Sequence, residues 1–170
     1  IINTSTERVS HSQKLVLELL TSDVSEEVYT QDNELTTWAN KLQIQTHRFP
    51  SNIQDKCDTS HPAITVNLSA CIQCTRCVRA CREEQVNDVI GYAHRGIKSE
   101  IVFDINDPMG ESTCVGCGEC VQACPTGALM PSKEVGLLEP DRKVESACPY
   151  CGVGCLLTFN VKEEKIIFGN

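Results

Sequence analysis

Apolar residues recur at helical spacing near the start of the chain and alternate further on. In "SHSQKLVLELL", Leu15, Val16, Leu19 and Leu20 share one face, and Ser10 and Gln13 have the spacing of a capping box, so a helix is expected over 10–20. A second helix is expected over 33–42, with Leu35, Trp38, Ala39 and Leu42 on its packed face and Asp32 or Asn33 as its cap. The stretch "HRFPSNIQDKCDTSHP" is polar and rich in turn formers, and reads as a connector. In "AITVNL", Ile64, Val66 and Leu68 alternate as in a short strand. Near the end, "LLTFNV", "KEEK" and "IIFG" read as two strands joined by a polar turn.

Composition changes this picture. The 170 residues suffice for one domain or two small ones, yet only eight are Phe, Trp or Tyr while twelve are Cys. So few aromatics make a core that depends on more than apolar burial, and disulfides or metals are the candidates. The net charge of −8 disfavours a nucleic acid or an anionic membrane as partner. No apolar run reaches the ~18 residues of a membrane span, and no secretory or twin-arginine signal is present. The chain opens on Ile1 without Met, so its true N-terminus is expected to lie upstream.

The cysteines are not scattered. "CIQCTRCVRAC" (71–81) and "CVGCGECVQAC" (114–124) agree at six of eleven positions, including all four cysteines of each. A duplicated cassette implies two equivalent sites. The spacing C-x2-C-x2-C-x3-C, followed in the second copy by Pro125, is the bacterial ferredoxin pattern for [4Fe–4S] clusters. Thiolates at i, i+3 and i+6 can curl around three corners of a cubane, while the fourth leaves on the following helix and completes the other cluster. The expected sets are Cys71, Cys74, Cys77 and Cys124 for one cluster, and Cys114, Cys117, Cys120 and Cys81 for the other. Zinc favours two separated ligand pairs, and disulfides between such close neighbours would be strained.

A third group, "CPYCGVGC", offers Cys148, Cys151 and Cys155 and lacks a fourth ligand in the residues that follow. The chain is therefore expected to be cut short, inside its final hairpin. Cys57 has no cassette around it and reads as a free thiol. His11, His47, His61 and His94 are isolated and read as surface or capping residues. Arg76, Arg79 and Arg82 recur at three-residue spacing along the first cassette, and two readings stand: a solvated helix face, or compensation of cluster charge. No phosphate loop, nucleophile triad or carboxylate pair is present, so no catalytic residue and no organic-cofactor residue is assigned.

The blocks "SHPAITVNLSACIQCTRCVRACREEQVNDVIGYAHRG", "IVFDINDPMGESTCVGCGECVQACPTGALMPS" and "ACPYCGVGCLLTF" closely resemble the α subunit of molybdenum- or tungsten-dependent, NAD-linked formate dehydrogenases, over about residues 61–159. The resemblance implies an α+β chain in three parts. Residues 1–62 form a helical N-terminal segment and linker, 63–138 a two-[4Fe–4S] bacterial ferredoxin-like domain, and 139–170 the truncated start of a molybdopterin oxidoreductase [4Fe–4S] domain. It implies an electron-transfer role, cytoplasmic location, and a flavin- and NAD-binding partner subunit. It also implies a bis-molybdopterin guanine dinucleotide in the missing part, where a cysteine a few dozen residues on would complete the third cluster. Many relatives carry a further cluster held by one histidine and three cysteines; residues 20–50 contain no cysteine, so it is expected to be absent here. An upstream [2Fe–2S] domain, common in the family, is not contained in the chain. The first cassette is followed by Arg82 in place of Pro, which is expected to alter the helix start. Other readings are the iron–sulfur subunit of an NADH dehydrogenase or hydrogenase, an assimilatory nitrate reductase, which the double cassette disfavours, a free-standing ferredoxin-like carrier, and a zinc-bound interaction module.

Overall fold

Two antiparallel pairings, one nested inside the other, organise the cysteine region of the computed structural model, which describes residues 2–25, 33–44, 48–132 and 139–169. The outer pairing joins β2 (Ile64–Asn67) to β5 (Leu129–Pro131), in the register Ile64↔Pro131, Thr65↔Met130 and Val66↔Leu129. The inner one is the hairpin of β3 (Ile90–Ala93) and β4 (Glu100–Phe103), with Ile90 opposite Phe103. Between them lie the two cassettes. The first enters a short helix α3 (Arg76–Arg79) that loosens into a π turn over Ala80–Glu84, and the second enters α4 (Glu119–Ala123).

Alternation in β2 works as expected: Ile64, Val66 and Leu68 are all buried. Each contributes roughly 1.5–3 kcal/mol by leaving water. They join Val78, Val89, Ile90, Ile101, Phe103, Met109 and Leu129 in one core, into which Cys77, Cys81 and Cys120 are also packed. A core shared with thiols explains how so few aromatics suffice.

Several sequence expectations need correction. The first helix, α1, runs Glu7–Ser22 and is capped by Thr6, whose Oγ1 accepts from Val9 N at 3.3 Å. Ser10 lies inside the helix, its N–H donating to Thr6 O at 3.0 Å. Val16 and Leu19 are exposed, while Leu15 and Leu20 are half-buried, so the expected apolar face is only partly used. The second helix, α2 (Glu34–Lys41), has Asn33 as its cap, accepting from Thr36 N at 3.1 Å; Asp32 lies outside the described residues. Leu35 and Ala39 are buried, but Trp38 is 46% exposed, with Lys41 Nζ 4.3 Å from its ring centroid. A cation against the ring face stabilises such a half-exposed indole.

The connector also contains structure. Cys57–Asp58 form β1 beside β2, with Cys57 opposite Asn67. Asp58 Oδ2 accepts from Met109 N at 2.6 Å, and Ser60 Oγ from Gly110 N at 2.8 Å, which ties the turn at Met109–Glu111 to this edge. A polar stretch can form a strand here because its pairing partner, not its own pattern, selects the conformation.

The C-terminal hairpin is present as β7 (Leu156–Lys162) and β8 (Lys165–Gly169). Glu163 and Glu164 both have positive φ, at 49° and 61°, the two-residue geometry that matches strand twist. A strand that the sequence pattern does not predict, β6 (Arg142–Ala147), pairs with β7 to make a three-stranded sheet. Its residues are exposed along their whole length, so no alternation marks it. No described helix is long and apolar enough to cross a membrane.

Gly110 fills a position with no room: a Cβ there would meet Ser60 O at 2.5 Å. Gly91, in β3, would meet only Val102, with Cγ2 nearest at 3.6 Å. Gly110→Ala is expected to lower stability by about 1–3 kcal/mol through forced backbone displacement, and Gly91→Ala to stay near neutral. Chemical denaturation midpoints of the two variants check this.

Candidate metal centres

The nested pairings decide which cysteines meet. Cys71 follows the end of β2 and Cys124 precedes the start of β5; since these strands are antiparallel, both cysteines lie at the same end of the pair. Asn67 N donates to Ala128 O at 2.7 Å, holding those ends together. By the same logic Cys81 precedes β3, Cys114 follows β4, and the hairpin returns one beside the other. Asn87 N donates to Cys81 O at 3.0 Å and Thr113 N to Asp104 Oδ2 at 2.6 Å, anchoring both flanks of the hairpin.

Two recesses result. Cys71, Cys74, Cys77 and Cys124 line the first, with Leu68, Ile72, Ile101 and Leu129; it encloses about 380 Å³, part of it open to solvent. Cys81, Cys114, Cys117 and Cys120 line the second, with Ile64, Val89, Ile90 and Val115; its space of about 310 Å³ is likewise partly open to solvent. Each recess thus takes three cysteines from one cassette and the last from the other. Cys77, Cys81 and Cys120 form the buried floor, while Cys74 and Cys117 sit at the exposed rim.

The loops that present the thiols share one backbone design. Gln73 and Thr75 have φ of 55° and 60°; their counterparts Gly116 and Gly118 have 67° and 80°. Left-handed residues turn successive N–H groups inward, and Gln73 N and Gly116 N each donate to the sulfur two residues earlier, Cys71 and Cys114, at 3.4 Å. Glycine adopts this geometry freely, whereas Gln73 and Thr75 are strained by roughly 1–3 kcal/mol each. The strain at Gln73 is offset by its side chain: Nε2 donates to Ser99 O at 2.8 Å and Oε1 accepts from Tyr92 Oη at 2.8 Å. Gly116 has no side chain to anchor, and His61 packs there instead, its Cε1 3.4 Å from where a Cβ would stand.

The cassettes diverge after their third cysteine. Pro125 ends α4, leaving Cys124 extended with φ −75° and ψ 118°. Without a proline, the first cassette continues through its π turn to Glu84. The substitution of Arg82 for Pro therefore alters the end of the helix and not its start.

Burial pushes the Cys71 thiol up to about 11 and the Cys120 thiol up to about 12, and raises Cys77 as well; neighbouring thiols add to each shift. Such groups resist ionisation because burial withholds the water that would solvate a thiolate, and bound iron would supply compensating charge. A donor set of four thiols around an apolar-walled recess therefore fits an iron–sulfur cluster. Among the described residues no three His, Cys, Asp or Glu side chains are grouped to hold a single ion.

The remaining candidates sort themselves. Arg76 forms a two-pronged pair with Glu34, at 2.7 and 3.2 Å. Arg79 pairs with Glu83 at 3.1 Å and Arg82 with Asp88 at 2.6 Å, all exposed. Each arginine already has its counter-ion, which favours the solvated-face reading. Of the three, Arg76 is the one whose electrostatic surroundings include both Cys74 and Cys124. Cys57 is exposed on β1, away from both recesses. His11 and His94 are exposed, and His47 lies outside the described residues. His61, expected from the sequence to be a surface or capping residue, caps the turn before β2, its Nδ1 accepting from Ala63 N and Ile64 N at 3.1 and 3.2 Å, and it is buried at 8% exposure rather than on the surface. Only its position before "PAITV" could have hinted at that.

In the third group, Cys148 N donates to Cys155 O at 2.7 Å, closing the loop that carries Cys151. Gly152 and Gly154 repeat the left-handed geometry, at 74° and 75°.

Residues 70–128 match the family model described as a 4Fe-4S dicluster domain, and residues 141–168 match the molybdopterin oxidoreductase Fe4S4 domain. The chain is 34% identical over 105 residues to an NADH-quinone oxidoreductase protein of Rhizobium meliloti (strain 1021), covering 60% of this chain and 12% of that protein. It is 25% identical over 175 aligned positions to a Staphylococcus aureus (strain USA300) protein named "Putative formate dehydrogenase", covering 79% of this chain and 17% of that one. The chain thus spans less than a fifth of these curated relatives. A solved structure of an NAD+-reducing [NiFe]-hydrogenase in the H2-reduced state shares the fold, with a TM-score of 0.69, 23% identity, and coverage of 76% of this chain and 57% of that one. The chain is a mixed helix-and-strand structure carrying an iron–sulfur dicluster domain followed by a molybdopterin oxidoreductase Fe4S4 domain.

A thiol raised in the fold stabilises it fully below the ordinary thiol pKa of 9.0, and that stability drains as pH climbs toward the raised values of about 11 and 12. The metal-free chain is therefore expected to lose resistance to denaturant progressively above pH 9.0, while iron-loaded protein, its sulfurs holding metal instead of protons, shows no such loss. Denaturant midpoints measured against pH for both forms test this.

Proposed function

We propose that the chain is the electron-transfer segment of a formate dehydrogenase and holds two [4Fe–4S] clusters by crossed ligation. Cys71, Cys74, Cys77 and Cys124 would bind one cluster; Cys114, Cys117, Cys120 and Cys81 would bind the other. Cys148, Cys151 and Cys155 would give three ligands to a third, completed by a residue beyond this chain. Crossed ligation is carried by the mixed make-up of the two recesses, each with three cysteines of one cassette and the last of the other, and the formate dehydrogenase reading is supported by the likeness to the Staphylococcus aureus protein over 79% of this chain.

When bound, the clusters would supply one-electron carriers between a molybdenum or tungsten bis-molybdopterin guanine dinucleotide site elsewhere in the full protein and a flavin- and NAD-binding partner subunit. The work of this chain's residues is to set and protect those carriers. The thiols ligate; Gln73 N and Gly116 N hydrogen-bond to Cys71 and Cys114 sulfur. Leu68, Ile72, Ile101 and Leu129 keep water from the first site, and Ile64, Val89 and Ile90 from the second. Segment boundaries at 1–62, 63–138 and 139–170 and a cytoplasmic location belong to the same proposal.

One observation favours a second reading, an iron–sulfur subunit of an NADH dehydrogenase or hydrogenase complex: the higher identity to the NADH-quinone oxidoreductase protein over the matched 105 residues. Formate added anaerobically to the full-length protein distinguishes them. Bleaching of its visible iron–sulfur absorbance by formate supports the first reading, and bleaching by NADH with its partner subunit but never by formate supports the second.

Anaerobic protein is expected to contain about eight iron and eight sulfide for the two ferredoxin-type clusters, besides the third. Cys81→Ser should impair the cluster of the second cassette and spare that of Cys71, Cys74 and Cys77, as read by electron paramagnetic resonance. Loss confined to the first cluster would overturn crossed ligation.

A further inference from the structure

Cys124 is the thiol that the second cassette lends to the first recess, and the loop after it is held from two sides. Glu34 N, at the start of α2, donates to Pro125 O at 2.8 Å, and Asn33 Nδ2 donates to Thr126 O at 3.5 Å. On the other side Asn67 N donates to Ala128 O at 2.7 Å. Thr126 is thereby fixed between α2 and the end of β2, with 1% of its surface exposed. It lines the first recess beside Cys71, Cys74, Cys77 and Cys124, and its Oγ1 lies 3.9 Å from Cys124 Sγ, within reach of a hydrogen bond to sulfur.

Either atom can donate while Cys124 carries its proton. A cysteine that ligates iron is a thiolate with no proton to give, so the hydroxyl is then the donor and the sulfur the acceptor. Thr75 is the other hydroxyl residue lining this recess, and among the described residues it makes no hydrogen bond to sulfur.

The corresponding place beside the second recess is built differently. Its crossed ligand is Cys81, and the residue two positions on is Glu83, exposed and paired with Arg79 at 3.1–3.3 Å. A carboxylate accepts and does not donate. The lining of the second recess contains no hydroxyl, and its Asn87 side chain makes no hydrogen bond to sulfur among the described residues. The contrast begins at the helix ends: Pro125 stops α4 and leaves Thr126 buried, whereas the first cassette runs on through its π turn and carries Glu83 to the surface.

We propose that Thr126 donates its hydroxyl proton to Cys124 sulfur in the cluster held by Cys71, Cys74, Cys77 and Cys124, raising the reduction potential of that cluster. The inference rests on the two-cluster reading above. A hydrogen bond to a ligand sulfur withdraws electron density and favours the reduced, more negative cluster. Anchoring of the loop by α2 and β2 orients the donor before iron binds.

Three substitutions separate the hydroxyl from the packing. Thr126→Val keeps the branched shape without the hydroxyl, Thr126→Ala removes it with less bulk, and Thr126→Ser retains it. In the full-length protein, electron paramagnetic resonance is followed through an anaerobic reductive titration, with iron and sulfide measured on each sample. The two signals are assigned by their loss in Cys124→Ser and Cys81→Ser. Thr126→Val and Thr126→Ala are expected to keep their clusters and to shift the reduction equilibrium of the first by about three- to tenfold toward the oxidised form. For a one-electron couple that is about 30–59 mV, with the second cluster unmoved. Thr126→Ser is expected to stay near wild type. Unchanged potentials, both clusters moving together, or a shift in Thr126→Ser as large as in Thr126→Val overturn the proposal. Should Thr126→Val not fold, Thr126→Ala decides on the same terms; loss of the first cluster from both assigns Thr126 to assembly and overturns its role in the potential. Wild-type protein without inorganic sulfide defeats the two-cluster reading itself, whereas intact clusters indifferent to the hydroxyl defeat this inference alone.

Discussion

The pairing of β2 with β5 is the constraint on which the other arrangements depend. Val66 and Leu129 are opposite partners although far apart in the chain, and everything between must fold back within that closure. The hairpin of β3 and β4 then folds the enclosed segment a second time. Two nested antiparallel closures leave four cysteine-bearing ends, and geometry pairs the outermost with each other and the innermost with each other. Cys71 meets Cys124 and Cys81 meets Cys114 by connectivity alone. Crossed sets follow from strand order rather than from any preference of an individual thiol.

The same division between local pattern and distant pairing governs what is legible in the sequence. The grouping of cysteines can be read because it depends on spacing within each cassette and on the duplication, both visible in the letters. So can β2 and the final hairpin, where apolar positions alternate against a buried face or flank a polar turn. The strands β1 and β6 cannot, since one is a two-residue edge chosen by its partner and the other is exposed throughout. The cap of α1 is ambiguous because Ser10 with Gln13 satisfies the capping pattern, while the cap that forms is Thr6 with Val9. Trp38 reads as core by spacing, yet a helix of eight residues has too little buried face to cover it beside Leu35 and Ala39. For His61 the capping role is legible and the burial is not, since nothing local signals that Gly116, far along the chain, packs against it.

The two cassettes solve one backbone problem in different ways. Both need left-handed residues after the first cysteine and after the second, so that N–H groups turn toward sulfur. The second uses glycine and accepts greater unfolded-chain entropy; the first uses Gln73 and Thr75, with local strain countered by a polar latch to Tyr92 and Ser99. The latch fastens the first loop to the β3–β4 hairpin, since Tyr92 is on β3 and Ser99 directly precedes β4. The glycine solution leaves an open face, and that face is where an imidazole fits. Side-chain asymmetry around similar loops is thus a consequence of how each loop accommodates positive φ.

Charge leads to the same asymmetry. A chain with net charge −8 gains further negative charge wherever thiolates bind iron, so some positive compensation is needed near the sulfurs. The first cassette contains three arginines, but Glu34, Glu83 and Asp88 each claim one at hydrogen-bond distance. Exposed pairs of this kind contribute little and project little net field. What remains is dipolar: the amide of Gln73 in the first recess, that of Gly116 in the second, and the Thr126 hydroxyl beside Cys124 sulfur in the first. Since the amides are common to both, side chains and differing exposure are what can set the two sites apart, and the hydroxyl of Thr126, 3.9 Å from Cys124 sulfur, belongs to the first.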